Sequence, residues 1–465
     1  MSQNQNQQIK KENEKEIKLT FCGGVGEVTG ANFLLEIGSF KILIDCGMVQ
    51  GGEEAYKSNY KDFSYNPRDI NAVVITHAHI DHIGRLPKLV KEGFTGPIYS
   101  TDYTKKIAPI MLEDSSRLIG RDADFRKIDP LYTIRDAEQT LSQWKGGKYG
   151  ETEEIREGIK INYKNAGHIL GSAIVEVMAE GKKIVFTGDL GNTPTPLLPD
   201  TETVTDADYM IIESVYGDRN HPPKEERREV LKEEIKKAIN RGGTILIPMF
   251  SLEKTQVILH ELNFFIENGD IKSVPVFLDS PMAIKVTEVY KQAFKEFNAE
   301  AQKEIKEGDD IFYFPKLVKV HSHEESLLIE HTPDPKIIIA GSGMSSGGRV
   351  VNHEQLILPV EKNTVLFLGY QSVGTLGRQI SDGIKKVNVH GNWLKVRANI
   401  VNVLGYSSHK DSEHLIDFVA ESKSTLKKVF VAMGETKSAL FLTQRLNDYV
   451  GVKAIHPQEG ETVIL

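Results

Sequence analysis

The sequence predicts an α/β protein of two domains, the second inserted in the first. Three observations carry that expectation. At 465 residues the chain exceeds one ordinary hydrophobic core. Its first 217 residues set short β-branched runs between Gly-containing turns. From about Asp218 the pattern changes to helices alternating with apolar strands, the βαβ order of a parallel sheet, and a strand-rich stretch returns near the C-terminus.

Taken in order, residues 1–16 are Gln, Asn, Lys and Glu with almost nothing to bury, and read as a disordered tail. Residues 17–217 read as the first part of the outer domain. Strands are expected at 17–21, 31–37 and 41–45, the last ending in Asp45, and at 70–75, a run of Ile, Ala and Val broken only by Asn71. A helical region follows from about 103 to 148, then strands at 159–163 and 182–186. Residues 218–385 read as the inserted domain. Helices are expected there at 225–240 and 255–267, and strands at 243–248, 274–278, 336–340 and 364–368. Residues 386–465 complete the outer domain, with strands at 395–400 and 428–432 around a helix at 412–422.

Composition narrows the class. With 40% hydrophobic and 26% charged residues, and no apolar run near the roughly 20 residues that span a bilayer, no membrane protein is expected. The N-terminus lacks the apolar core of a signal peptide, so the expected location is cytoplasmic. Cys22 and Cys46 form neither a disulfide framework nor a CxxC pair, which suits a reducing compartment. A net charge of −8 means that a nucleic-acid substrate would need a local basic groove.

The chemistry centres on Thr76-His77-Ala78-His79-Ile80-Asp81-His82, which places four potential metal ligands in six residues at the end of a strand. In extended backbone His77, His79 and Asp81 share a face, and His82 comes round as the chain turns. Imidazole nitrogen with carboxylate oxygen suits zinc or a similar ion. Further ligands stand at other strand ends: His168 in Ala166-Gly167-His168-Ile169-Leu170-Gly171, and Asp189 in Thr187-Gly188-Asp189-Leu190-Gly191.

In that order, Asp45, His77-x-His79-x-Asp81-His82, His168 and Asp189 resemble the successive motifs of the metallo-β-lactamase fold. Glu213 in Glu213-Ser214-Val215-Tyr216-Gly217, the stretch 341–349, the stretch 369–378 and Ser407-Ser408-His409-Lys410-Asp411 are similar to signatures of its β-CASP branch of nucleic-acid nucleases. The resemblance implies a four-layer αββα domain interrupted by an α/β β-CASP domain with a parallel sheet. It implies two Zn²⁺ ions: His77, His79 and His168 on one, Asp81 and His82 on the other, Asp189 bridging. Asp45 is expected to orient a ligand histidine. Glu213 would support His409, which would act on the scissile phosphate and leaving oxygen. Lys254, Ser345, Arg349, Gly374, Thr375 and Arg378 are the expected substrate-binding residues, with backbone N–H groups of the glycine-rich stretch facing phosphates.

The expected activity is a zinc-dependent, mainly endonucleolytic hydrolysis of single-stranded RNA by metal-hydroxide attack, leaving a 3′ hydroxyl and a 5′ phosphate. Exonuclease activity and a homodimer are compatible family traits. The chain ends at Leu465, soon after the last strand, and so lacks the further C-terminal domain of ribonuclease J, which favours the endonuclease. Two departures from the family pattern stand out. Val431-Ala432-Met433-Gly434-Glu435 puts a thioether where the family usually has the histidine that completes the second metal. Leu252-Glu253-Lys254-Thr255-Gln256 replaces the usual Gly-Arg before Thr-Gln. The rival readings are a non-catalytic RNA-binding or scaffold relative, motivated by Met433, and a small-molecule metallo-hydrolase.

Overall fold

A computed structural model describes residues 16–192, 194–369, 371 and 374–465. The tail expected at 1–16 therefore lies outside the described residues, Glu16 excepted. Two seven-stranded sheets face each other. One runs in the order Thr462–Ile464, Ile17–Gly23, Asn32–Ile37, Phe40–Ile44, Ala72–Val74, Ile98–Thr101, Trp144–Gly147. The other runs Ala454–Ile455, Lys428–Val431, Tyr209–Ile212, Lys182–Phe186, Ala173–Ala179, Ile159–Asn165, Glu153–Arg156.

The sheets pair because alternate residues on their strands are apolar and cannot all face water. Leu19, Phe21, Phe33 and Ile42 from one meet Ile161, Val175, Phe186 and Phe430 from the other in a shared core. The outer faces are covered by helices. Leu415, Val419 and Leu442, from Ser412–Ala420 and Thr436–Arg445, pack on Val185, Met210 and Val429. Leu86, Leu89, Ile107 and Leu112, from Leu86–Lys91 and Asp102–Arg126, pack on Leu43, Val73 and Ile98. The result is helix, sheet, sheet, helix.

The third sheet is parallel throughout: Leu317–Lys319, Val276–Asp279, Lys336–Ala340, Thr244–Pro248, Thr364–Phe367, Asn399–Asn402. Its helices include Lys224–Arg241 and Lys254–Glu267. Here the expected assignment of a strand near 395–400 to the outer domain is corrected. That strand is Asn399–Asn402, and it pairs in parallel with Thr364–Phe367 of the inserted sheet. Hydrogen bonding to a parallel edge decides the placement, which strand propensity alone does not reveal.

Both outer sheets begin antiparallel and turn parallel midway, at Phe40–Ile44 with Ala72–Val74 and at Lys182–Phe186 with Tyr209–Ile212. Chemistry in open α/β sheets gathers beyond the carboxyl ends of parallel strands, where loops diverge. Asp45, His77, Asp189, Glu213 and Met433 all follow such ends within three residues. Among the described residues no helix is long and apolar enough to cross a membrane.

Candidate metal centre

His77 Nε2, His79 Nδ1, His168 Nε2 and the Asp189 carboxylate converge. His77 Nε2 lies 3.0 Å from His79 Nδ1, and His168 Nε2 3.3 Å from that same nitrogen. Asp189 Oδ2 is 3.4 Å from His77 Nε2 and 3.5 Å from His168 Nε2. Four ligands on a tetrahedral zinc with bonds of about 2.0–2.1 Å lie roughly 3.3–3.4 Å apart. The donor spacing therefore fits one such ion.

The protons are placed to suit it. His168 Nδ1 donates to the Ser408 carbonyl (3.0 Å), which leaves the Nε2 lone pair facing the cluster. Thr76 Oγ1 donates to Asp45 Oδ2 (2.8 Å) and so accepts from His77 Nδ1 (3.1 Å), which again leaves Nε2 bare. Burial lowers the pKa of His77, and pushes His79 and His168 well below the ordinary histidine value, with neighbouring imidazoles adding to it. For all three the shift favours the neutral ring, the form that carries a lone pair a metal can use. Burial opposes a charged Asp189, but His82 and His77 outweigh it and hold the carboxyl well below its usual range.

A second set of donors is less complete. Asp45 lies in the left-handed region (φ 58°) at the end of its strand, accepts Thr76 N–H (2.8 Å), and takes His82 Nδ1 at 2.7 Å. His82 Nε2 and Asp189 Oδ1 are left facing each other at 3.4 Å, both buried and neither with a hydrogen-bond partner. Two orphaned buried atoms of this kind fit an ion or a water. Asp81 joins neither candidate cluster. The chain turns into a short helix, Ile80–Ile83, immediately after His79, so Asp81 does not continue the extended register, but its carboxyl stays close enough to His82, Asp189 and His77 to feel their charge. Met433 is buried beside this set and lines a small cavity with Asp45, Thr76, His82 and Glu213. Its thioether is a soft, weak donor.

On the other side of Asp189 stand Glu213 and His409. Glu213 Oε1 accepts Leu190 N–H at 2.6 Å, and Oε2 is 3.3 Å from His409 Nδ1. Burial works against charge on His409, but Glu213 outweighs it and raises the pKa above the usual value. The His409 ring lies 4.7 Å from that of His168.

The six residues expected at the substrate lie as follows. Lys254 shares a pocket with His168, and its ammonium donates to the Tyr406 carbonyl. Arg349 is tied to Asp279 (2.5 Å) and to the carbonyls of Val320 and His321 (both 3.2 Å). Arg378 binds Asp382 (2.8 Å). Ser345 is buried against Glu354, Gly374 forms a positive-φ turn, and Thr375 caps the helix Leu376–Ser381. Each of these has work within the protein that composition could not show. Three residues outside the expected site set also contact it: Thr76 joins Asp45 to His77, and Asn192 Nδ2 and His221 Nε2 donate to the carbonyls of Ser407 and His409.

The departure at Glu253 has a backbone consequence. Its φ of 65° and ψ of −56° lie where glycine is favoured, which explains the usual residue at that position. Its buried carboxylate accepts the Tyr290 hydroxyl, which in turn accepts Leu170 N–H at 3.1 Å.

Comparison with known proteins agrees with this architecture. Residues 25–249 match the metallo-beta-lactamase superfamily, 255–380 the Beta-Casp domain, and 393–457 the Zn-dependent metallo-hydrolase RNA specificity domain. The chain is 35% identical to Ribonuclease TTHA0252 of Thermus thermophilus over 91% of its own length and 94% of that protein's. It is 32% identical to the transcription termination factor FttA of Pyrococcus horikoshii, over 97% of this chain and 71% of that one. A crystal structure of a protein of unknown function from Enterococcus faecalis shares the fold, with a TM-score of 0.58 at 15% identity, covering 97% of this chain and 100% of that one.

Asp45→Ala frees His82 to rotate and removes the acceptor that sets the Thr76 and His77 protons. Metal affinity is expected to fall about 10–100-fold with the fold retained, measured by competition with a chromophoric chelator. Unchanged affinity would contradict the role given to Asp45.

Proposed function

The chain belongs to the β-CASP branch of the metallo-β-lactamase superfamily of metal-dependent hydrolases, and from that premise we propose that it is a zinc-dependent ribonuclease hydrolysing phosphodiester bonds of single-stranded RNA, mainly endonucleolytically. The observation that carries this reading is the convergence of three imidazole nitrogens on Asp189, with His409 held alongside by Glu213. The match of residues 393–457 to an RNA specificity domain, and the name of the Thermus ribonuclease, support RNA as substrate. Two free thiols support a cytoplasmic setting.

His77, His79, His168 and Asp189 would hold one zinc tightly. His82, Asp189 and Asp81 would hold a second more loosely, because Met433 replaces a nitrogen donor. When bound, such ions supply Lewis acidity to the phosphodiester and to the attacking water. The chain's own residues do the rest. Asp45 and Thr76 keep the ligand rings in one tautomer. Glu213 faces His409 Nδ1, so the opposite ring nitrogen is the one that presents a proton to the departing 3′ oxygen. The low ligand count at the second site favours the scaffold reading only if cleavage is absent.

Circular single-stranded RNA separates the modes of cutting, because it has no end for an exonuclease. With zinc it is expected to be linearised, with 5′-phosphate ends, and to survive intact after chelation. Circles untouched while linear RNA is degraded would replace the endonuclease with an exonuclease.

The pH dependence has a definite sign. His409 acts in its protonated form, which exists below its raised pKa, so kcat falls as pH rises through that value. Removing the charge in Glu213→Gln lowers the His409 pKa, and the alkaline limb of the rate profile is expected to move to lower pH. A limb that does not move would remove Glu213 from this role.

A further inference from the structure

The segment 405–409 crosses from the inserted sheet back to the outer domain and ends on His409. Its five successive carbonyls each receive a side-chain donor. Gly405 O takes Arg227 Nη1 (2.6 Å), Tyr406 O takes Lys254 Nζ, and Ser407 O takes Asn192 Nδ2 (3.0 Å). Ser408 O takes His168 Nδ1 (3.0 Å), and His409 O takes His221 Nε2 (3.0 Å). Arg227 and Lys254 come from the inserted domain, Asn192 and His168 from the outer one. A connection between domains ordinarily makes few such contacts, since loops run over the surface with their carbonyls in water.

The fourth bond joins the two halves of the site. One nitrogen of His168 faces the metal cluster and the other holds the residue before His409. The turn at Glu253 and Lys254 braces both ends of that bond. Through Tyr290, Glu253 reaches Leu170, two residues beyond His168. Lys254 reaches Tyr406, two residues before Ser408.

We propose that segment 405–409 is a strap coupling metal loading at His168 to the placement of His409, and that Lys254 is a positioning residue within it. This rests on the reading of His168 as a ligand and of His409 as the group that meets substrate. An ion on His168 Nε2 fixes the ring and with it the Nδ1–H donor, so the strap tightens as the site fills. By reciprocity, loosening the strap weakens the hold on the ion by the same factor. The lysine at 254 serves here as a donor to the protein's own backbone.

Hydrogen exchange with and without zinc, resolved over residues 403–412, tests the strap without reference to catalysis. The Lys410 amide, which donates to Leu190 O (2.7 Å), is a reporter. Zinc is expected to slow exchange there by roughly tenfold or more. Lys254→Met should remove most of that zinc-dependent protection and reduce zinc affinity in parallel, and Lys254→Arg, which keeps a donor, should restore both. The wild-type comparison needs no variant, so a misfolded Lys254→Met leaves the idea open to refutation. Exchange over 403–412 that is indifferent to zinc, or a Lys254→Met protein that keeps full zinc-dependent protection, overturns the strap. Zinc-dependent protection in a protein that cleaves no RNA would instead leave the strap standing and overturn the proposed nuclease.

Discussion

Everything at this site depends on where a few imidazole rings keep their protons. Histidine rings whose nitrogens lie 3.0–3.3 Å apart repel one another if charged, and two bare lone pairs facing each other have nothing to bond without an ion. The fold resolves this by giving outer nitrogens an acceptor of their own: Thr76 for His77, Asp45 for His82, the Ser408 carbonyl for His168. The nitrogens left bare then point at Asp189. That arrangement requires loops from both outer sheets to meet, which is why the ligands follow the carboxyl ends of strands on opposite sides of one sandwich.

Much of this was legible in the residues themselves. The period and composition of 17–44, 182–186 and 336–340 identify strands because a buried β surface favours branched and aromatic side chains at alternate positions. Asp45, His77, His79, His168 and Asp189 were recognisable because ligand chemistry restricts residue type and the resemblance orders them. The backbone at Asp81 was not legible for a local reason: a helix begins one residue after His79, and sequence spacing does not say where extended chain ends. The strand Asn399–Asn402 was assigned to the wrong domain because its propensity is the same in either sheet, and only hydrogen-bond partners distinguish them.

The basic residues were the least legible. An arginine in a glycine-rich stretch reads equally well as a phosphate contact or as a solvated side chain, and sequence alone does not show the ion pair that Arg349 makes with Asp279. Lys254 carries the same ambiguity. Its ammonium is buried, its pKa pushed down to about 7 by that burial, and it serves a carbonyl. The two departures from the family pattern thus have unlike consequences. Met433 places a thioether beside Asp45, His82 and Glu213, whereas Glu253 and Lys254 add ties between the inserted domain and the loops around His168.

The central claim is that the three-histidine cluster holds zinc and that RNA hydrolysis depends on it. The most direct measurement is zinc per chain on metal-replete protein, with cleavage of single-stranded RNA assayed on the same preparation. The account predicts at least one tightly held zinc, a second that dialysis removes more readily, and cleavage that disappears with the metal. A chain that holds no zinc, or one that cuts RNA equally well after the zinc has been stripped, would contradict it.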